Sequence, residues 1–351
     1  MAALFAEIGG RAKDYSDRTV TSIFIGGGTP SLLSGEQIGQ LMDRIREQFA
    51  MAQDAEITME VNPGTASAEK LRNFYTAGIN RLSIGMQSAR QKELKNLGRI
   101  HDFEGFCQVY REAVEAGFTN INVDIMSGLP GTDALQAYRD TLEKVLHLEP
   151  MPQHISAYMP DRGGGNPFCG HGREGELPLP EEETERAMYE ETIEVLAKYG
   201  FHRYEISNYA RDGYECRHNV GYWIRRDYLG FGIGAASLID NVRFQNEKSL
   251  GAYLAHPLES REEEQTLTVQ DRMEETMFLG LRLTRGVSCV DFAEQYGRTV
   301  EEVYGEVIAR NVADGLLTVT ERKENQKKDR FLALTKRGLD LSNYVMAQFL
   351  F

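Results

Sequence analysis

Cysteine is scarce in this sequence and nowhere spaced for a metal. Cys107, Cys169, Cys216 and Cys289 lie far apart, which excludes a Cys-x-x-Cys zinc pair and a dense disulfide framework and leaves buried or incidental thiols. Positive charge is in deficit: 39 Lys and Arg stand against 53 Asp and Glu, for a net charge of -14. That balance argues against a nucleic-acid backbone as main partner and repels an anionic membrane surface. No apolar run approaches the roughly 20 residues that span a bilayer. Met1-Ala2-Ala3-Leu4-Phe5-Ala6-Glu7 also lacks the basic start and long apolar core of a signal peptide, so a cytoplasmic protein is expected. Gly26-Gly27-Gly28 is followed by neither Gly-Lys-Ser/Thr nor the Gly-x-Gly-x-x-Gly spacing, which removes the phosphate-loop and dinucleotide fingerprints.

What is present is a rhythm. The 351 residues, 41% hydrophobic, suffice for one large α/β domain and a smaller one. The β-branched and aromatic run Val20 to Ile25 predicts a buried parallel strand that stops at the three glycines. The pattern then predicts a helix near Gly35 to Gln48, a strand at Ile57 to Val61, a helix at Ala68 to Thr76 and a strand at Arg81 to Met86. Helices at Gln91 to Leu97 and Phe103 to Ala116 follow, with a strand at Asn120 to Met126. Strands at His154 to Met159 and His202 to Ser207 frame a helix at Glu181 to Lys198. Such alternation implies βαβ units around a parallel sheet, open or curved into a barrel, with too few strands for a closed eight-stranded one. Met1 to Lys13 reads as the end of a helix that begins upstream of this sequence.

Glycine and polar residues gather where those strands end: Gly26 to Thr29, Glu60-Val61-Asn62-Pro63, Gly85-Met86-Gln87-Ser88, Asp124 with Gly128 to Gly131, Ser156-Ala157-Tyr158 and Glu205 to Asn208. In parallel α/β architectures the loops at the carboxyl ends of strands converge on one mouth, so a single pocket can collect them. From Tyr209 the alternation fails. Cys216-Arg217-His218-Asn219-Val220-Gly221-Tyr222-Trp223 precedes a second glycine-rich turn, Gly230 to Gly234, and a hairpin from Leu238 to Gln245. His218, beside two aromatics, fits either a structural histidine bonded to backbone or a ligand to a metal or a flat cofactor. Glu259 to Glu264 reads as an acidic linker. Beyond it, helices at Asp271 to Leu283, after Ser288, and at Val300 to Asn311, a charged hairpin around Glu321 to Arg330, and a last helix at Ser342 to Leu350 resemble a winged helix. Its Lys323, Lys327, Lys328 and Arg330 alternate with Glu321, Glu324 and Asp329, which favours a solvated hairpin over nucleic-acid binding.

Together, Gly26-Gly27-Gly28-Thr29-Pro30-Ser31, Glu60-Val61-Asn62-Pro63-Gly64, Asn80 to Ser88, Leu97-Gly98-Arg99-Ile100-His101 and Asp124 to Gly131 resemble radical S-adenosylmethionine proteins related to oxygen-independent coproporphyrinogen III oxidase. Within that group His218-Asn219-x-x-Tyr222-Trp223, Tyr228-Leu229-Gly230 and Leu334-Thr335-x-x-Gly338 with Ser342-Asn343 resemble the HemW-type haem chaperones. The resemblance spans nearly the whole chain. It implies a partial (β/α)6 radical-SAM barrel over 1–215, lacking its first strand here, a histidine-motif segment over 216–270 and a C-terminal winged-helix-like domain over 271–351. It further implies S-adenosylmethionine across the strand ends: Gly26, Gly27, Gly28 and Thr29 on the methionine amino group and backbone, Gln87 and Asp124 on ribose hydroxyls, Arg99 on the carboxylate, and Glu60 near the sulfonium. His218 is the implied haem contact, as axial imidazole or pocket donor.

The departures matter as much. The family holds a [4Fe–4S] cluster with three cysteines in Cys-x-x-x-Cys-x-x-Cys, and this chain has no such loop; the sequence is expected to begin shortly after it. Asp161-Arg162-Gly163-Gly164-Gly165-Asn166 replaces an acidic Glu-x-Gly-Thr type segment. Three readings stay open. The first is haem binding and delivery on a radical-SAM scaffold, with haem or porphyrin and a haem-accepting protein as partners. The second is anaerobic coproporphyrinogen III decarboxylation, and the third a cluster-less truncated product without redox activity. Whether the chain is an enzyme is left undecided by its lack of cluster cysteines.

Overall fold

The computed structural model describes residues 1–159, 179–259, 261–324 and 327–350. Cys169 and the Asp161 to Asn166 segment lie outside them. The chain divides into two compact units, one of residues 18–203 and 207–215, the other of residues 1–17, 204–206 and 216–351.

The first unit is a parallel-rich half-barrel sheet clad by helices. Strands β1 (Thr19–Ile25), β2 (Ala50–Val61), β3 (Arg81–Gln87), β4 (Ile121–Met126) and β5 (His154–Tyr158) are joined in that order by parallel pairing. Helices Gly35–Gln48, Ala68–Thr76, Gln91–Asn96, Phe103–Glu115, Ala134–Leu146 and Glu182–Lys198 follow or separate them. The first helix starts where its sequence says it should: Ser34 Oγ accepts from the Gln37 amide at 3.1 Å and the Gln37 side chain accepts from the Ser34 amide at 2.9 Å. Along β2 to β5 the two faces carry different chemistry. Met59, Val61, Leu82, Ile84, Val123, Ile125 and Ile155 are buried apolar residues, as are Ile38, Met42, Leu71, Phe74 and Phe106 on the helices. The alternate positions, Thr58, Glu60, Arg81, Ser83, Asn122, Asp124, His154 and Ser156, are polar. Period-two side-chain alternation therefore places a polar lining on the face opposite the apolar core.

Two expectations are corrected. The strand at His202 to Ser207 does not pair with the parallel set: only β6 (His202–Arg203) forms from it, running in the same sense as β5 but separated from it by β7 (Asn208–Ala210), which is antiparallel to both. A short reversal can join only antiparallel neighbours, whereas a parallel strand needs a long crossover. The helix Ala134–Leu146 had no counterpart in the sequence reading. Its buried stripe, Ala134, Ala137, Tyr138, Thr141, Leu142, Val145 and Leu146, recurs at helical spacing, with Thr141 accepting from the Ala89 amide at 3.1 Å.

In the second unit, β8 (Ala236–Ile239) and β9 (Val242–Asn246) form the expected hairpin, turning at Asp240 and Asn241 with φ of 51° and 64°. Both turn residues tolerate the left-handed region that a tight hairpin requires. Residues 261–264 of the expected acidic linker lie instead in β10 (Arg261–Thr266), an exposed strand paired antiparallel to β9. Its charges hide any period-two signal because neither face is buried. Helix Ala2–Arg11 belongs to this unit through a buried cluster. Glu7, fully buried, accepts from the Gly232 amide at 2.9 Å, Asn246 Nδ2 at 2.7 Å and Tyr253 Oη at 2.7 Å, and Arg11 donates to Asn246 at 2.8 Å. Helices Val269–Gly280, Cys289–Tyr296 and Val300–Ala313 pack with strands β11 (Val287–Ser288), β12 (Leu317–Glu324) and β13 (Lys327–Leu334), ordered β11-β13-β12. Their shared core includes Met277, Leu281, Phe292, Val300, Leu332, Val345 and Phe349, a winged-helix-like arrangement. Among the described residues no helix is long and apolar enough to cross a membrane.

Candidate functional site

At the end of β1 the chain passes through Gly26, Gly27 and Gly28, and each glycine has a different reason. A Cβ on Gly26 would sit 2.9 Å from the Glu60 carboxyl carbon, Gly27 adopts φ +83°, and a Cβ on Gly28 would meet nothing. Close approach, left-handed backbone and open space are thus separate demands met in one loop. The Gly27 amide donates to Glu60 Oε2 at 3.3 Å. The neighbouring loop is tied to this one by Ser31, whose hydroxyl lies 2.6 Å from Thr65 Oγ1 and accepts from the Asn62 amide at 3.0 Å. Lys70 fastens both, donating to the carbonyls of Ser31 at 2.8 Å and of Leu32 and Thr65 at 3.2 Å.

These loops open onto a cavity of about 200 Å³ lined by Gly28, Thr29, Glu60, Asn62, Ser83, Gly85, Gln87, Arg99, Asp124 and Tyr158. Six of the residues expected for a cofactor, Gly28, Thr29, Glu60, Gln87, Arg99 and Asp124, therefore meet in one place. Gly26 and Gly27 stand behind Glu60, and His218 belongs to the other unit. The polar lining of the cavity suits a ribose or amino-acid moiety.

Asp124 is held from below. It accepts from Asn122 Nδ2 at 2.7 Å and from Ser83 Oγ at 3.0 Å. Asn122 Oδ1 in turn accepts from His154 Nδ1 at 2.6 Å and from Ser156 Oγ at 3.1 Å. Burial pushes the Asp124 carboxyl above its usual range, against the pull of these donors; burial first and the Asp124 charge second raise Glu60. Two carboxylates in one pocket make it receptive to hydroxyl, amine or cationic groups. Arg99 supplies the opposite sign. Helix Gln91–Asn96 ends with Gly98 at φ +66°, and the Arg99 amide reaches back to the Leu94 carbonyl at 2.9 Å, a left-handed cap that aims the guanidinium at the cavity. Lys70, Ser83, Asn122 and His154 were absent from the sequence reading of the site; the signal for the last three was the polar residue at every second position of β3, β4 and β5, whereas Lys70, on the helix Ala68–Thr76, carried none.

His218 lies on the short helix Arg217–Trp223. Its Nε2 is 3.1 Å from Tyr222 Oη, and the two rings meet edge to face with centroids 4.8 Å apart. Tyr222 packs edge to face against Tyr228 at 4.6 Å, and burial lifts its hydroxyl to about 12. Trp223, one residue further round the helix, stacks instead under the Arg282 guanidinium, 4.3 Å from the ring centre. The histidine and tyrosine of the motif share a face, and the tryptophan is turned away from it.

Among the described residues the cysteines do not fit a [4Fe–4S] cluster. Cys107 belongs to the first unit, Cys216 and Cys289 to the second, and burial pushes the Cys107 and Cys289 thiols up, away from the thiolate that iron requires. Among the described residues no group of three or more His, Cys, Asp or Glu could hold a metal ion.

Residues 4–143 match the model of the radical SAM superfamily, and residues 267–341 match that of the HemN C-terminal domain. The heme chaperone HemW of Lactococcus lactis is 34% identical over 339 residues, covering 96% of this chain and 86% of the relative. The heme chaperone HemW of Bacillus subtilis is 37% identical over 336 residues, covering 94% of this chain and 85% of the relative. The chain belongs to the HemW family. Among solved structures, the coproporphyrinogen III oxidase HemN of Escherichia coli, titled a radical SAM enzyme, superposes with a TM-score of 0.82 at 25% identity, covering 99% of this chain and 82% of that one. HemN thus shares the fold of this chain over nearly its whole length.

Proposed function

We propose that this chain is a haem-trafficking protein that binds haem as cargo through the His218 face and S-adenosylmethionine in the cavity of the first unit. The observation that carries the reading is the similarity to heme chaperones HemW over 94–96% of the chain. The cavity is the right kind of place for the cofactor. Asp124 and Gln87 suit a ribose diol, Arg99 a carboxylate through a two-pronged contact, and the bare backbone at Gly26 to Thr29 an amine. His218 and Tyr222 offer an imidazole beside a flat aromatic surface, which suits a macrocycle. S-adenosylmethionine, when bound, supplies a sulfonium and an adenosyl group; what this chain's own residues do is hold and orient it. A cytoplasmic protein that passes haem to an acceptor protein completes the proposal.

Titration of the full chain with haem tests it. The expected result is a shifted Soret band that saturates near one equivalent, with binding weakened at least tenfold in His218→Ala. An unchanged band in the parent protein would sink the haem reading; an unchanged affinity in the variant would remove only the histidine. The alternative is coproporphyrinogen decarboxylation, favoured by the likeness to HemN. It predicts release of methionine and 5′-deoxyadenosine under anaerobic reduction, and the misfit of the cysteines to a cluster argues that this chain releases neither.

A further inference from the structure

Gln87 is the only strained non-glycine residue among the described cavity-lining residues. Its φ is +67°, in the left-handed region, and the pairing of β3 with β4 slips between Gly85 and Gln87. Three contacts hold this conformation. The Ser88 amide donates to the Met86 carbonyl at 2.9 Å, closing a tight turn around Gln87. Nε2 of His101, a buried histidine, lies 3.4 Å from that same carbonyl. Tyr158, on β5, donates its hydroxyl to Gln87 Oε1 at 2.7 Å. A Cβ on Gly85 would stand 2.9 Å from Gln87 Nε2, so the absence of a side chain there leaves the amide its place.

The third contact decides the polarity of the group. A carboxamide has one accepting and one donating end. With the oxygen turned toward Tyr158, the NH2 is the end turned away from it and offered to a ligand. Asp124, with its oxygens already accepting from Asn122 and Ser83, retains lone pairs and presents only acceptors. A donor and an acceptor lining the same cavity fit a hydroxyl, which donates to Asp124 and accepts from Gln87. They fit a ketone or a hydrogen poorly, because one partner would then be desolvated and unpaired. We infer that Tyr158 is a positioning residue: by fixing the orientation of Gln87 it makes the cavity selective for a ribose hydroxyl of the adenosyl ligand. His101 supports the backbone of the same residue. The inference rests on the S-adenosylmethionine reading and adds to it a residue and a selectivity.

Calorimetric titration of the full chain with S-adenosylhomocysteine and with its 2′,3′-dideoxy counterpart tests it, in the parent and in Tyr158→Phe. The parent should prefer the ribose form by about tenfold or more. Tyr158→Phe should bind the ribose form about tenfold more weakly and the dideoxy form within twofold of the parent, so that the preference collapses while the melting temperature holds. Gln87→Ala should give the same collapse and stands in if Tyr158→Phe fails to fold. Equal weakening of both ligands, or no change in either, overturns the positioning role. A parent that binds both forms equally overturns the inference and leaves the adenosyl reading standing. One that binds neither overturns both.

Discussion

Arg99 reaches the cavity because the residue before it has no side chain. Gly98 sits at φ +66° with open space where a Cβ would go, so its requirement is conformational and not steric crowding. Gly98→Ala should cost about 1–2 kcal/mol of stability from left-handed strain. It should also weaken S-adenosylhomocysteine binding several-fold by turning the guanidinium away; thermal melting and calorimetry read the two effects separately, and unchanged binding would show that Arg99 needs no such cap. At this scale the sequence was informative where chemistry is written in side chains: Glu60, Gln87, Arg99 and Asp124 were named from it. It was silent where the reason lies in dihedrals or in a second residue, as with Gly98 behind Arg99, Tyr158 behind Gln87 and Lys70 behind the glycine loop. A lysine that donates to three carbonyls looks, in one dimension, like any solvated lysine.

Across the strands, the polar layer beneath the cavity has a titration signature. His154 is fully buried and donates to Asn122; burial holds it well below the ordinary histidine value of 6.5, with the Arg81 charge acting in the same direction. Burial lowers His101 too, against its bond to Met86. Both stay neutral in the folded chain at pH values where the unfolded chain takes up a proton. Stability contributed this way is fully present above about pH 6.5 and falls as the pH drops, by up to about 1.4 kcal/mol per pH unit for each histidine. Glu60 and Asp124, raised in the folded state, act with the opposite sign, so the net slope is shallower than the histidines alone would give. Denaturant melts from pH 7 to 5 should show this loss, and His154→Gln should flatten the slope; a parent chain equally stable at both ends would contradict it. The strands themselves were legible from β-branched runs between turns. Their inner polar faces were written only as an alternation, Arg81 with Ser83, Asn122 with Asp124 and His154 with Ser156, and only pairing tells which alternate residue meets which. The antiparallel end at β6 and β7 was hidden for the same reason, since a strand's direction is not written in its own residues.

At the scale of the whole chain, the half-barrel is an insertion. The second unit begins with residues 1–17, stops while residues 18–203 build the first, and resumes in earnest at 216. No periodicity in the sequence announces this, because Glu7 and Asn246 are ordinary polar residues until they are seen bonded across 239 positions. Time enters here. A ribosome adding about 5–20 residues each second leaves helix Ala2–Arg11 without its partners for roughly 10–50 s, until Asn246 and Tyr253 have emerged. Throughout that interval Glu7 and Arg11 have none of the neighbours that bury them, while the half-barrel is free to close. Nascent chains arrested near residue 230 should therefore show a protease-resistant core from the first unit and a helix at the start that is cut readily, with protection of that helix appearing only in chains extended past residue 253. Residues 1–17, made before the half-barrel they flank, are thus fixed only after it.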